Sequence, residues 1–103
     1  MEIQERRRTP RYGFQADVDV EWGSEIMRGM VTDISLGGMF IATASPLWVG
    51  ATFTARVFLG EPLRLDAIVR RVVPQRGMGV EFVEMDAAVR ARLEELVTRL
   101  TAS

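Results

Sequence analysis

A regular alternation of apolar and polar residues begins at Tyr12. Apolar residues at positions 14, 16, 18, 20 and 22 alternate with polar residues, as in a β-strand with one buried face. Turns rich in glycine, proline and serine separate this strand from five further short segments. These segments cover residues 27–32, 39–42, 51–59, 63–70 and 78–82. Six short strands joined by turns predict an all-β fold, an antiparallel sheet closed into a small barrel.

The last segment has a helical period instead. Its apolar residues fall on one face of a helix, and they are Val89, Leu93, Leu96, Val97 and Leu100. Asp86 is of a residue type that caps helix N-termini, so we predict a C-terminal helix over 86–102. We expect this helix to pack on the barrel, and docking to a partner is the alternative. Since side chains fill a barrel of this size, a ligand would bind outside it or at its rim.

Composition excludes several classes of function. The 103 residues fit one domain, and the chain has neither cysteine nor histidine. A disulfide scaffold, a thiol nucleophile and a histidine base or metal ligand are therefore excluded, and we do not expect an enzyme. Asp17, Asp19 and Glu21 share one face of the first strand and would suit a hard cation, although a solvated face explains them equally well. We predict no metal and no cofactor.

The charges are unevenly distributed. All thirteen basic residues are arginines, and with fourteen acidic residues they give a net charge of −1, which argues against a nucleic acid polymer as partner. Residues 1–11 contain four of the arginines and only two glutamates. Pro10 disfavours helix before it, so we predict a flexible arm over 1–11 and one domain over 12–103. No apolar stretch is long enough for a membrane span or a secretory signal, so we expect a cytoplasmic protein that is not membrane-embedded.

Two short motifs carry the candidate chemistry. The arm contains Arg7-x-x-x-Arg11, and a guanidinium can bind a phosphate or the O6/N7 edge of guanine through two hydrogen bonds. The second motif is Asp33-x-Ser35-x-x-Gly38. Its carboxylate can accept hydrogen bonds from N1–H and N2–H of guanine, and its hydroxyl can donate or accept beside it. Each motif alone also has a structural explanation. The arginine motif can be a solvated basic tail, and the aspartate motif can be a turn whose side chains form hydrogen bonds with their own backbone.

The two glycines at the end of the second motif predict access for a ligand. Gly37 and Gly38 are expected to permit unusual backbone angles and close approach of a ligand. Together the two motifs offer phosphate neutralisation and recognition of both edges of guanine. The sequence therefore favours a guanine nucleotide as the ligand.

The combination of motifs resembles the PilZ domain family. The arginine motif stands at the start of the first strand, the aspartate motif follows about twenty residues later, and Gly77–Phe82 is similar to the last strand of that family. The resemblance implies a six-stranded barrel with a C-terminal helix that acts as a receptor for cyclic di-GMP. It also implies that the arginines at 7 and 11 bind phosphates and guanines, and that Asp33, Ser35 and Gly38 bind guanine.

Other arginines are weaker candidates for the same site. Arg8 is predicted to add a phosphate or base contact, and Arg6 to hold a second ligand molecule, since cyclic di-GMP self-intercalates. Late in the chain Arg70, Arg71 and Arg76 either reach the same face or are simply exposed. Ligand binding is expected to order the arm and so change a contact with an effector protein that the sequence does not identify. The alternatives are a ligand-independent interaction module and a barrel that binds single-stranded nucleic acid.

Overall fold

Six antiparallel strands form a closed barrel in the computed structural model, which describes residues 10–102. The elements are β1 (Tyr12–Trp22), β2 (Glu25–Ile34), β3 (Gly38–Ala42), β4 (Thr52–Leu59), β5 (Glu61–Val73), β6 (Gly77–Phe82) and the helix α1 (Ala87–Ala102). The strand order is β1-β2-β3-β6-β5-β4, and pairing of β1 with β4 closes the barrel. The predicted barrel with a C-terminal helix is confirmed.

The alternating apolar residues fill the barrel. Val18, Val31, Ile41, Val57 and Val69 come from five different strands and are fully buried. Each strand places its apolar face inside because the side chains of a strand point alternately to its two faces. The charged side chains of the strands therefore lie on the outer surface, together with a few apolar ones.

The helix packs on β1 and β5 and adds Leu93 and Val97 to the core. Asp86 caps it as predicted, because its Oδ1 accepts a hydrogen bond of 2.9 Å from the Val89 N–H. The Arg92 guanidinium donates to two backbone carbonyls at the start of β5, at 3.0 and 2.8 Å, which fixes the helix against the sheet. Within residues 10–102, no helix is long and apolar enough to cross a membrane.

Two strands, β2 and β5, extend at least two residues beyond their predicted limits at each end. β2 includes Asp33 and Ile34, which the sequence had placed in a turn, because Asp33 still pairs with both of its neighbouring strands. β5 starts at Glu61 because Gly60, with a φ of 93°, makes a tight turn and lets Leu59 pair directly with Glu61. Most of the predicted arm, residues 1–9, lies outside the described residues.

Of the three β-bulges in the described strands, those in β2 and β5 change which polar side chains face outward. Between Val31 and Asp33, β2 has one residue more than β3, and between Val69 and Arg71, β5 has one residue more than β6. An extra residue in one strand reverses the alternation of its side chains relative to the partner. Val31 and Val69 are fully buried, whereas Asp33 is partly exposed and Arg71 is exposed. Both polar side chains therefore lie on the outer surface.

Candidate functional site

The two sequence motifs meet at the start of β1. There Tyr12 pairs with Ile34 and Gly13 with Asp33, so the residue before β1 lies beside the end of β2. The Nη1 of Arg11 donates a hydrogen bond of 2.8 Å to Oδ1 of Asp33. The side chains are 28% and 33% exposed, so both groups are accessible to a ligand. A guanidinium has five N–H donors and a carboxylate accepts several bonds, so each group retains capacity to bind a ligand.

Ser35 organises the turn that follows this ion pair. The residue is only 3% exposed, and its Oγ accepts hydrogen bonds from the N–H groups of Gly37 and Gly38 at 3.1 and 3.2 Å. The same hydroxyl donates to the Gly38 carbonyl at 3.3 Å, which also accepts the Ser35 N–H at 2.8 Å. The hydroxyl is therefore engaged within the turn. Direct contact between Ser35 and a ligand stays a prediction.

Gly38 allows two strands to approach each other closely. A Cβ atom on this residue would lie 2.2 Å from the carbonyl oxygen of Val80 on β6, which is far too close. Neither Gly37 nor Gly38 has a positive φ, so the expectation of unusual backbone angles there is wrong. The physical reason for glycine at position 38 is the packing of β3 on β6. Approach of a ligand to these two residues remains a prediction.

An aromatic ring and a second arginine lie next to the ion pair on the outer surface. Phe40 pairs with Asp33, Gly79 with Phe40, and Arg71 with Gly79, so the four residues form one row across four strands. The Cζ atom of Arg71 lies 5.8 Å from the centroid of the Phe40 ring. Arg71 is among the residues predicted from the sequence, whereas Phe40 is not. Met39, Phe40 and Ile41 are all apolar, so the sequence carries no signal that distinguishes Phe40, whereas burial of Met39 and Ile41 in the structure turns the ring between them outward.

The remaining predicted arginines are not brought into this row. Arg70 donates a hydrogen bond of 2.6 Å to Glu81. Arg76 lies in the hairpin between β5 and β6, and its carbonyl accepts a hydrogen bond from the Thr43 N–H. Thr43 follows the last residue of β3, whereas Gly38 is the first residue of that strand, so Arg76 lies at the opposite end of β3. The predicted site residues Arg6, Arg7 and Arg8 lie outside the described residues.

The acidic face of β1 is neutralised by arginines. Asp19 accepts a hydrogen bond of 2.7 Å from Arg28, and Glu21 lies 3.6 Å from both Arg56 and Arg64. In the part of the chain that the structure describes, no three carboxylates are grouped as a metal site would require. These contacts favour the interpretation of this face as a solvated, ion-paired surface.

The fold of the chain is similar to those of several solved structures. Inhibitor of motility (MotI/DgrA) from Bacillus subtilis matches with a TM-score of 0.77 and 25% identity over 91% of this chain and 50% of its own. The PilZ domain of YcgR from Escherichia coli, solved with c-di-GMP, matches with a TM-score of 0.78 and 22% identity over 94% of this chain and 92% of its own. The MrkH–c-di-GMP complex from K. pneumonia matches with a TM-score of 0.78 and 18% identity over 93% and 52%.

The chain spans about half the length of the MotI/DgrA and MrkH chains, and nearly all of the YcgR domain. A search of the curated proteins gave no significant match. The PilZ domain family matches over residues 5–99, which include both sequence motifs, all six strands and most of the helix. The chain therefore belongs to the PilZ domain family.

Proposed function

We propose that this chain is a receptor for cyclic di-GMP that binds the messenger on the outer surface of its barrel. The observation that carries the proposal is the contact of Arg11 with Asp33, because it joins the two motifs in one accessible site. The family match and the c-di-GMP complexes of YcgR and MrkH support it. The role is recognition rather than catalysis.

Each part of the ligand has a complementary group. Asp33 accepts N1–H and N2–H of one guanine, and Arg11, together with Arg7, donates to the phosphates and to the O6/N7 edge. The Ser35–Gly38 turn holds Asp33 in place. A charge-assisted hydrogen bond contributes about 1.5–3 kcal/mol, so a few such bonds are enough for a micromolar dissociation constant, about −8 kcal/mol, after the ligand is ordered.

The proposed output is a changed contact with an effector protein. In this proposal the ligand fixes residues 1–11 against the barrel, because its two phosphates neutralise the arginines of that segment. Arg8 adds a phosphate or base contact, and Arg6 holds a second, intercalated ligand molecule. In a two-molecule complex, Arg6→Ala lowers the ligand-to-protein ratio from two to one, and an unchanged ratio contradicts this role.

Isothermal titration calorimetry with cyclic di-GMP, GTP and cyclic di-AMP tests the proposal. The variant is Arg11→Ala, and the matched control is Arg28→Ala, since Arg28 forms an ion pair of 2.7 Å with Asp19 elsewhere on the barrel, close to the 2.8 Å of Arg11 with Asp33. We expect micromolar, selective binding of cyclic di-GMP by the wild type and by Arg28→Ala, and a loss of at least about tenfold in Arg11→Ala. Absence of binding by the wild type refutes the receptor function and favours a ligand-independent interaction module.

A further inference from the structure

Arg71 has the position and the chemistry of a ligand-contacting group, although it belongs to neither motif. We propose that its guanidinium, supported by the Phe40 ring, is the platform on which a guanine base stacks while Asp33 binds the edge of that base. The inference rests on the proposed function and adds a residue of β5 to the site.

The backbone places the platform directly beside Asp33. Phe40 is the pairing partner of Asp33, so the ring starts about one strand spacing, roughly 4.8 Å, from the carboxylate strand. Arg71 starts two strands further on, but its side chain extends over Gly79 towards Phe40. A Cβ on Gly79 would lie 3.7 Å from Nε and 3.9 Å from Nη2 of Arg71. These are ordinary van der Waals distances, so the guanidinium lies across β6 directly over Gly79.

Arg71 differs from its neighbour in what it binds. Arg70 donates to Glu81, whereas Arg71 has no carboxylate partner among residues 10–102 and rests on the Phe40 ring, with its Cζ 5.8 Å from the centroid. An exposed guanidinium without a carboxylate partner retains its hydrogen-bond donors and one planar face for a ligand. A guanidinium placed over an aromatic ring is also restricted in orientation, so less freedom is lost when a ligand binds.

The arrangement suits planar stacking on guanine. A purine that presents its N1–H and N2–H edge to Asp33 has its rings to one side of the carboxylate, and Phe40 and Arg71 occupy the neighbouring surface. The guanidinium plane can stack on an aromatic base on one side and on Phe40 on the other. Lysine carries the same charge but has no plane, which separates stacking from simple attraction to phosphate.

Calorimetric titration of cyclic di-GMP into four proteins tests the platform: the wild type, Arg71→Ala, Arg71→Lys and the control Arg70→Ala. We expect about tenfold weaker binding for Arg71→Ala, since stacking of a base contributes on this order. Arg71→Lys should remain as weak as the alanine variant, and Arg70→Ala should bind within about twofold of the wild type. Thermal unfolding of each variant should match the wild type, because both arginines are exposed.

The outcomes separate the inference from the function on which it rests. Wild-type binding with no loss in Arg71→Ala refutes the platform alone, and recovery of affinity in Arg71→Lys refutes stacking in favour of charge. No binding by the wild type refutes the receptor function and the platform with it. Phe40→Leu gives a second readout: it should weaken binding in the wild type but have no further effect in Arg71→Ala, because the ring acts through the guanidinium.

Discussion

The Ser35→Ala variant separates a turn-stabilising role of this residue from direct ligand binding. The hydroxyl of this 3% exposed residue accepts two backbone N–H groups and donates to one carbonyl, all within the turn to Gly38. Alanine removes the acceptor, and the amide of the buried Gly38 loses this bond. The exposed Gly37 can bind water instead.

Loss of one buried acceptor destabilises a protein by about 1–3 kcal/mol. For a domain near this size, 1 kcal/mol corresponds to roughly 4–8 °C in Tm, so we expect Tm to fall by about 5–20 °C. Thermal unfolding followed by circular dichroism measures this, and Ser45→Ala, a change in an exposed loop, should leave Tm unaltered. A Ser35→Ala protein with wild-type Tm but without cyclic di-GMP binding would contradict the argument and make Ser35 a direct ligand contact.

Two further substitutions test contacts that stabilise the fold. Gly38→Ala should lower the free energy of unfolding by about 1–3 kcal/mol or more in urea titrations, because the new Cβ clashes with the Val80 carbonyl. The control Gly13→Ala should be neutral or slightly stabilising, because the space around Gly13 is open. Equal stability of the two variants would be inconsistent with the close β3–β6 approach. Asp86→Ala should reduce stability by about 0.5–2 kcal/mol in the same assay, because the Val89 N–H loses its cap, and an unchanged midpoint would show that the cap contributes nothing.

The sequence predicted the barrel because every strand has one face in the core. The alternation around Val18, Val57 and Leu65 has a single physical cause, burial of every second side chain, and it appears without any knowledge of strand order. The limits of β2 were harder to predict from the sequence. Asp33 belongs to a residue type that favours turns, but pairing with Phe40 and with Gly13, a residue far from it in sequence, keeps it in the strand.

The motifs identified the candidate site more completely than they described its geometry. Asp33 and Arg11 were both named, and the structure brings them into contact although they are 22 residues apart. Motif spacing cannot show that the Ser35 hydroxyl points into its own turn, because this depends on the backbone path from Ser35 to Gly38. It also cannot show that the Val80 carbonyl requires glycine at position 38, because that contact is made by another strand.

The bulges explain why part of the site cannot be derived from alternation. Val31 and Asp33 are two residues apart, as are Val69 and Arg71, so strict alternation would place each polar residue inside the barrel with its buried neighbour. One extra residue in β2 and one in β5 reverse this, and both polar side chains reach the outer surface on either side of Phe40. The two candidate guanine contacts, Asp33 and Arg71, therefore depend on local irregularities in strand pairing. Deleting the extra residue of β2 would restore regular pairing and turn Asp33 inward, and the same deletion in β5 would turn Arg71 inward. Recognition of a ligand at this site therefore depends on the bulges as well as on the motifs.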